Sequence, residues 1–135
     1  MIDYIKKDMQ PNDRFLMLGS EPFTYYLMDQ FPSSNHIYPR LISRNSPENR
    51  IYQQQAIDEM KNGGQEYILL SVTGLSWQAG DGGINDWYNS AFSYINNNYE
   101  PILAFNFDER QYYFNTPNDI IDMYRPNQLV AFKKK

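Results

Sequence analysis

"RFLMLGSEPFTYYLMDQFPSSNHIYP", residues 14–39, decides how the chain is read. "RFLMLG", 14–19, reads as a buried strand whose apolar run ends in a glycine. Ser20 is placed to cap a helix running to about Asp29, with Pro22 in its first turn, where a missing N–H removes no helical bond. "FPSSN" ends that helix. "HIYP", 36–39, is a short strand candidate stopped by Pro39. A strand, a helix and a strand in this order form one β-α-β corner, and the rest of the chain repeats the alternation.

Upstream, Ile2, Ile5 and Met9 share one face of a short helix that "PND" breaks. Downstream, residues 40–48 read as loop. Tyr52, Ala56, Ile57 and Met60 recur at helical spacing over 49–61, and "NGG" terminates that helix. "EYILLSV", 66–72, is the most strand-like segment. The loop "TGLSWQAGDGGIN" follows, with Asn85 or Asp86 capping a helix that carries Trp87, Tyr88, Ala91, Phe92, Ile95 and Tyr99. "EPILAFNF" and "QYYFN" are strands joined by the turn "DER". "TPNDIIDMY" is a short helix or turn, and "QLVAFKKK" a last strand-like appendix. Strands alternating with helices of this length predict an α/β fold. The expectation is a three-layer Rossmann-like sandwich over residues 1–135, with a mostly parallel sheet and an antiparallel C-terminal edge.

Composition narrows the function. The chain has 135 residues, 41% of them hydrophobic, with 12 Tyr, 8 Phe and 2 Trp, enough for one domain with a core. Mean hydropathy is only −0.69, so tyrosines carry much of the apolar load. Net charge is −4, and the only basic runs are Lys6-Lys7 and the terminal Lys133-Lys134-Lys135, which reads as a solvated tail, with a position near an anionic surface as the alternative. A nucleic-acid groove needs clustered Lys and Arg; no nucleic-acid partner is expected. With no cysteine, disulfides, thiol nucleophiles and thiolate metal sites are excluded. No apolar run reaches the length of a membrane span, and "MIDYIKKDMQ" is polar and periodic, unlike a signal peptide.

The site candidates lie where an open parallel sheet binds ligands, beyond the carboxyl ends of its strands. Glu21 follows the first strand; it is either a ligand or partner contact or a first-turn acid complementing the helix dipole. Trp77, in the glycine-rich loop, can stack on a sugar, dock at a membrane surface or plug the sheet end. "AGDGG" has strand-to-helix context but lacks the Lys and Ser/Thr of a phosphate loop. Asp81 and Asp86 flank a position for a cation or sugar, or are ordinary loop acids. His36, the sole histidine, sits beside Tyr38 and Arg40. No metal-ligand spacing and no G-x-S-x-G elbow occur. Asp108 and Glu109 read as a solvated hairpin tip. No catalytic residue, metal or cofactor is assigned.

The order of residues also resembles a family. Tyr4-Ile5, Pro11, Asp13, Leu16, Leu18, Gly19, Pro22, Tyr25 or Tyr26, Ser33-Ser34 and Ile37-Tyr38-Pro39 match, in sequence, the start of a particular domain. It is the C-terminal soluble domain of bacterial membrane glycosyltransferases that use polyprenyl-phosphate sugars, enzymes related to protein O-mannosyltransferases and lipid A aminoarabinose transferases. "YQQQAIDEMKNGGQEYILLS" is similar to that domain's helix and strand, with Gly64-Gln65 where a proline is usual. "YINNNYEPILAF" is similar to its next helix and strand, and Tyr112 to Phe114 fall at its last strand. Gln30 and Asn35 stand where a basic residue is often found. The likeness covers about residues 2–115.

The resemblance implies a non-catalytic extracytoplasmic domain on the periplasmic face of the inner membrane, cut from a larger protein, so that Met1 is not the natural start. Its partners are then the membrane-embedded portion of the same protein and a glycan or lipid-linked acceptor. The intact enzyme would move a sugar from the carrier to a hydroxyl. The alternatives are a stand-alone binding protein for a small polar or sugar ligand, at the loops 19–23 and 73–86, and a small cytosolic enzyme.

Overall fold

A computed structural model describes residues 1–19, 21–32, 46–72, 86–114 and 127–135. Its elements, in chain order, are α1 (Ile2–Asp8), β1 (Phe15–Leu18), α2 (Phe23–Met28), α3 (Pro47–Asn62), β2 (Tyr67–Val72), α4 (Asp86–Asn98), β3 (Tyr99–Asn106), β4 (Gln111–Phe114) and β5 (Gln128–Lys134). The fold is mixed α/β around one five-stranded mixed sheet, in the order β1-β2-β5-β3-β4.

The pairing corrects the expected mostly parallel sheet. Among the described strands only β1 and β2 pair in parallel, Phe15 opposite Tyr67 through Leu18 opposite Leu70. β5 runs antiparallel between β2 and β3, and β4 is the antiparallel hairpin partner of β3. The segment expected as an appendix is thus a central strand. Its composition explains why it fits there. Leu129 and Ala131 face one side, Val130 and Phe132 the other, and neither side meets water at Val130, Ala131 or Phe132. A strand covered on both faces needs a continuous apolar run rather than alternation. β1, β2 and β3 still point the same way, because β2 and β3 are each antiparallel to β5.

Each face of the sheet has its own core. On one, α1 and α2 place Ile5, Tyr25 and Met28 against Phe15, Met17, Tyr67, Leu69, Leu103 and Ala131. On the other, α3 and α4 place Ile57, Met60, Trp87, Ala91 and Ile95 against Leu16, Leu18, Ile68, Leu70, Ala104, Val130 and Phe132. The period-2 alternation of β1 and β2 sends successive residues to opposite cores.

Local chemistry sets the boundaries. The side chain of Ser46 accepts the N–H of Asn49 at 3.2 Å, and Pro47 occupies the first turn, so α3 begins two residues before the apolar periodicity does. Gly64 follows it with φ +62°, a conformation that favours glycine. Of the "NGG" pair only this second glycine needs that freedom, since Gly63 is right-handed. α2 starts later than expected: its N-cap is Pro22, without a side-chain cap. Ser20, the expected cap, lies outside the described residues, as do the "HIYP" strand and the "TPNDIIDMY" segment.

β1 lies at an end of the sheet, and side chains cover its outer N–H groups. Phe15 donates to Gln30 Oε1 at 3.0 Å, and Gln30 Nε2 donates back to the Asp13 carbonyl at 2.9 Å. Met17 donates to the Tyr25 hydroxyl at 3.0 Å. Both N–H groups are therefore engaged without another strand. This is one of the ways a sheet edge is kept from pairing with a second chain.

The terminal lysines are not a loose tail. Lys133 pairs with Asp8 at 2.6 Å. Lys135 Nζ donates to the Asn96 carbonyl at 2.9 Å, at the C-terminal end of α4, where a cation complements the helix dipole. Among the described residues, no helix is long and apolar enough to cross a membrane.

Candidate functional site

The carboxyl ends of β1 and β2 converge on Gly19, Glu21 and Ser71. Glu21 is not in the first turn of α2, which has no acidic residue there. It precedes the N-cap. Its carbonyl accepts from the Thr24 hydroxyl at 2.8 Å and from the Thr24 N–H at 3.1 Å, which fixes the entry into the helix. Freed from the helix end, its carboxylate turns back over the strands. Ser71, buried at the end of β2, donates its hydroxyl to Glu21 Oε1 at 2.9 Å.

Gly19 makes this possible. A Cβ there would collide with Glu21 Oε2 and would lie 2.6 Å from Ser71 Cβ and 2.7 Å from Met17 Cε. No real side chain tolerates such separations. The glycine that ends the strand is thus required by close approach of the carboxylate. Chemically, a carboxylate accepting a serine hydroxyl is a fixed polar rim.

The other face of the same strand ends is also polar. Asn106 ends β3 and Gln128 begins β5, opposite each other in register. Both are buried. Asn106 Oδ1 accepts the N–H groups of Asp108 and Glu109 at 2.9 and 3.1 Å, shaping the hairpin turn. Gln128 Oε1 is buried and meets no donor among the described residues. Asp108 and Glu109 are exposed at the hairpin tip, as expected, and each makes an exposed contact: Asp108 accepts from Asn127 at 3.2 Å, and Glu109 accepts from the Tyr113 hydroxyl.

The remaining sequence candidates divide simply. Trp77, Asp81 and His36 lie outside the described residues. Asp86 is the first residue of α4, which places it after β2 as expected, but its side chain is also outside them. Of the predicted set, the structure therefore positions Glu21 and joins it to Ser71, a residue sequence reasoning did not select. Among the described residues, no group of three His, Asp or Glu side chains could hold a metal ion.

A second polar cluster sits at the opposite end of the central strands, where β2 begins and β5 finishes. Asp8, at the end of α1, accepts from Lys133 Nζ at 2.6 Å and from the Tyr67 hydroxyl at 2.8 Å. Lys133 Nζ also lies 5.6 Å from the centre of the Tyr67 ring. The Lys133 bond, then the Tyr67 bond, hold the Asp8 carboxyl below the usual carboxylate range. Burial and the Asp8 bond push Tyr67 up to about 12. The hydrogen bond to Asp8 raises Lys133. The cluster ties the first helix to β2 and β5 and has the character of a clamp.

No family model matches the chain, and no curated protein and no solved structure matches it.

Proposed function

We propose that the chain is a non-catalytic accessory domain of an integral-membrane glycosyltransferase, on the extracytoplasmic, periplasmic face of the inner membrane. The parent would transfer a sugar from a polyprenyl-phosphate carrier to an acceptor hydroxyl, and this domain would seat on its membrane-embedded portion. The reading begins from the ordered match of Tyr4-Ile5, Leu16, Leu18, Gly19, Pro22 and Tyr25 or Tyr26. The observation that carries it is the outward side of α2 and its exit. Phe23, Tyr26, Leu27 and Phe31 are exposed there, Tyr26 by 86% and Phe31 by 94%. Four large apolar side chains within nine residues suit a surface that another part of the protein covers.

The fold fits the Rossmann-like reading in its three co-directional strands and its helices on both faces. β5 would then be an antiparallel strand inserted into that plan.

Expression of the longest reading frame containing these residues tests the proposal. The expected parent has multiple apolar spans and transfers labelled sugar in membrane vesicles. Tyr26→Ser with Phe31→Ser should lower that transfer, and the isolated 135-residue chain should transfer none. Transfer by the isolated chain, or a parent without spans, would falsify it.

The buried acceptor Gln128 Oε1 at the strand ends favours a second reading, a binder of a small polar or sugar ligand. It predicts saturable sugar binding that Gln128→Leu removes.

A further inference from the structure

α4 presents a solvent side of unusual chemistry. Asn89, Ser90, Ser93, Tyr94, Asn97 and Asn98 recur at the spacing of one helix face. With Lys61, at the end of α3, they line an open groove of about 530 Å³. The lining holds amides, hydroxyls, one ring and one cation. It holds no carboxylate and no aliphatic pocket.

Two observations separate this face from an ordinary solvated one. Exposed helix positions favour Glu, Lys, Gln and Arg, whereas Asn and Ser compete with the backbone and lower helix propensity. α4 has no basic residue in its last turn and no Glu, Lys or Arg anywhere. Its C-terminal carbonyls are instead served by Lys135, from outside the helix. The asparagines are also not all used internally. Asn98 donates to the Tyr94 carbonyl at 2.8 Å, but the side chains of Asn89, Ser93 and Asn97 make no hydrogen bond to another described residue.

We propose that this α3–α4 groove binds a neutral glycan segment. Sugar hydroxyls both donate and accept, and so do amide and serine side chains. Tyr94 is part-buried beside Tyr99, their ring centres 6.1 Å apart, which steadies an aromatic surface for the C–H face of a sugar ring. Lys61, at the rim, adds a donor for a sugar hydroxyl. A protein or peptide partner is disfavoured, because the groove offers no apolar anchor pocket. The inference is independent of the membrane reading, since it concerns the other face of the sheet.

The test is amide NMR of the ¹⁵N-labelled 135-residue chain, titrated with maltotetraose, cellotetraose and chitotetraose, and separately with an extended Gly-Ser-Asn peptide. The expected result is saturable shifts at Asn89, Ser93, Tyr94 and Asn97 with at least one oligosaccharide. Tyr94→Ala should weaken that binding about tenfold or more, while Tyr94→Phe keeps it. Asn97→Ala, an exposed change that leaves the core alone, should also weaken it. Shifts from the peptide only, shifts confined to other surfaces, or no saturable shift with any of the three sugars overturns the proposal.

Discussion

Ser71 donates its hydroxyl to Glu21 at 2.9 Å, joining the ends of two parallel strands through residues fifty positions apart. The bond is largely shielded, so removing its donor should matter more than an exposed contact would. Ser71→Ala is expected to lower stability by about 1–2 kcal/mol in urea denaturation. Glu21→Gln keeps an acceptor for the hydroxyl and should lose less. Equal losses would mean that charge, not the hydrogen bond, holds this corner.

Gly19→Ala should be worse than either. The added methyl meets Ser71 Cβ at 2.6 Å, on the backbone side of a buried residue that cannot swing away. A loss of about 1–3 kcal/mol is expected. Pairing it with Glu21→Ala should recover only part, since the Ser71 contact stays. Full recovery in the double variant would place the whole clash on the carboxylate.

Tyr25→Phe tests the edge of the sheet. It removes the acceptor for the Met17 N–H and leaves the buried ring, which stacks edge-on against Phe15 at 5.6 Å. The loss should be about 1 kcal/mol. Combined with Gln30→Ala, it exposes two N–H groups of β1 for pairing. Light scattering should then show concentration-dependent association, and a monodisperse double variant would contradict this account of the edge.

The Asp8 clamp predicts a pH window. The folded Asp8 value is depressed, so its contribution is present above the unfolded value of about 3.9 and disappears as pH falls through the folded one. Tyr67 and Lys133 are raised, so their contribution is complete below about 10 and is lost as pH rises further. Asp8 and Lys133 are partly exposed, at 53% and 34% of their side chains, and water screens the pair to about 0.5 kcal/mol. Asp8→Asn should therefore cost little at neutral pH and flatten the acid limb of thermal stability. An unchanged acid limb would assign the limb to other carboxylates.

Phe132→Ala should be the most damaging single change, at about 3–5 kcal/mol. The ring is fully buried in the centre of the sheet, and denaturation midpoints measure the loss. A near-neutral result would contradict the central position of β5.

Helices and strands were legible in the sequence wherever periodicity was strong. β1, β2, α3, α4 and the β3–β4 hairpin lie where spacing puts them, because burial on one or two faces writes itself into local order. The place of β5 was not legible. Three closing lysines made "QLVAFKKK" look peripheral, although "LVAF", apolar on both faces, is the pattern of a covered strand. Which neighbours it joins depends on residues far away in the chain. Of the site, Glu21 was legible by position after β1. Its partner Ser71 was not, since nothing around Ser71 refers to a residue fifty positions earlier. The role of Gly19 was equally hidden, because the collision it avoids comes from a side chain that folds back.

The insertion of β5 sets a timetable for the chain as it is made. β2 and β3 share no direct ladder; of the five described strands, the one between them is the last to be synthesised. Until residues 128–134 emerge, the nascent polypeptide holds two halves of a sheet with open inner edges. Closure must then wait on distant contacts, which slows folding and lengthens exposure to wrong partners. A stall or truncation before Gln128 would leave not a shortened domain but an unfinished one.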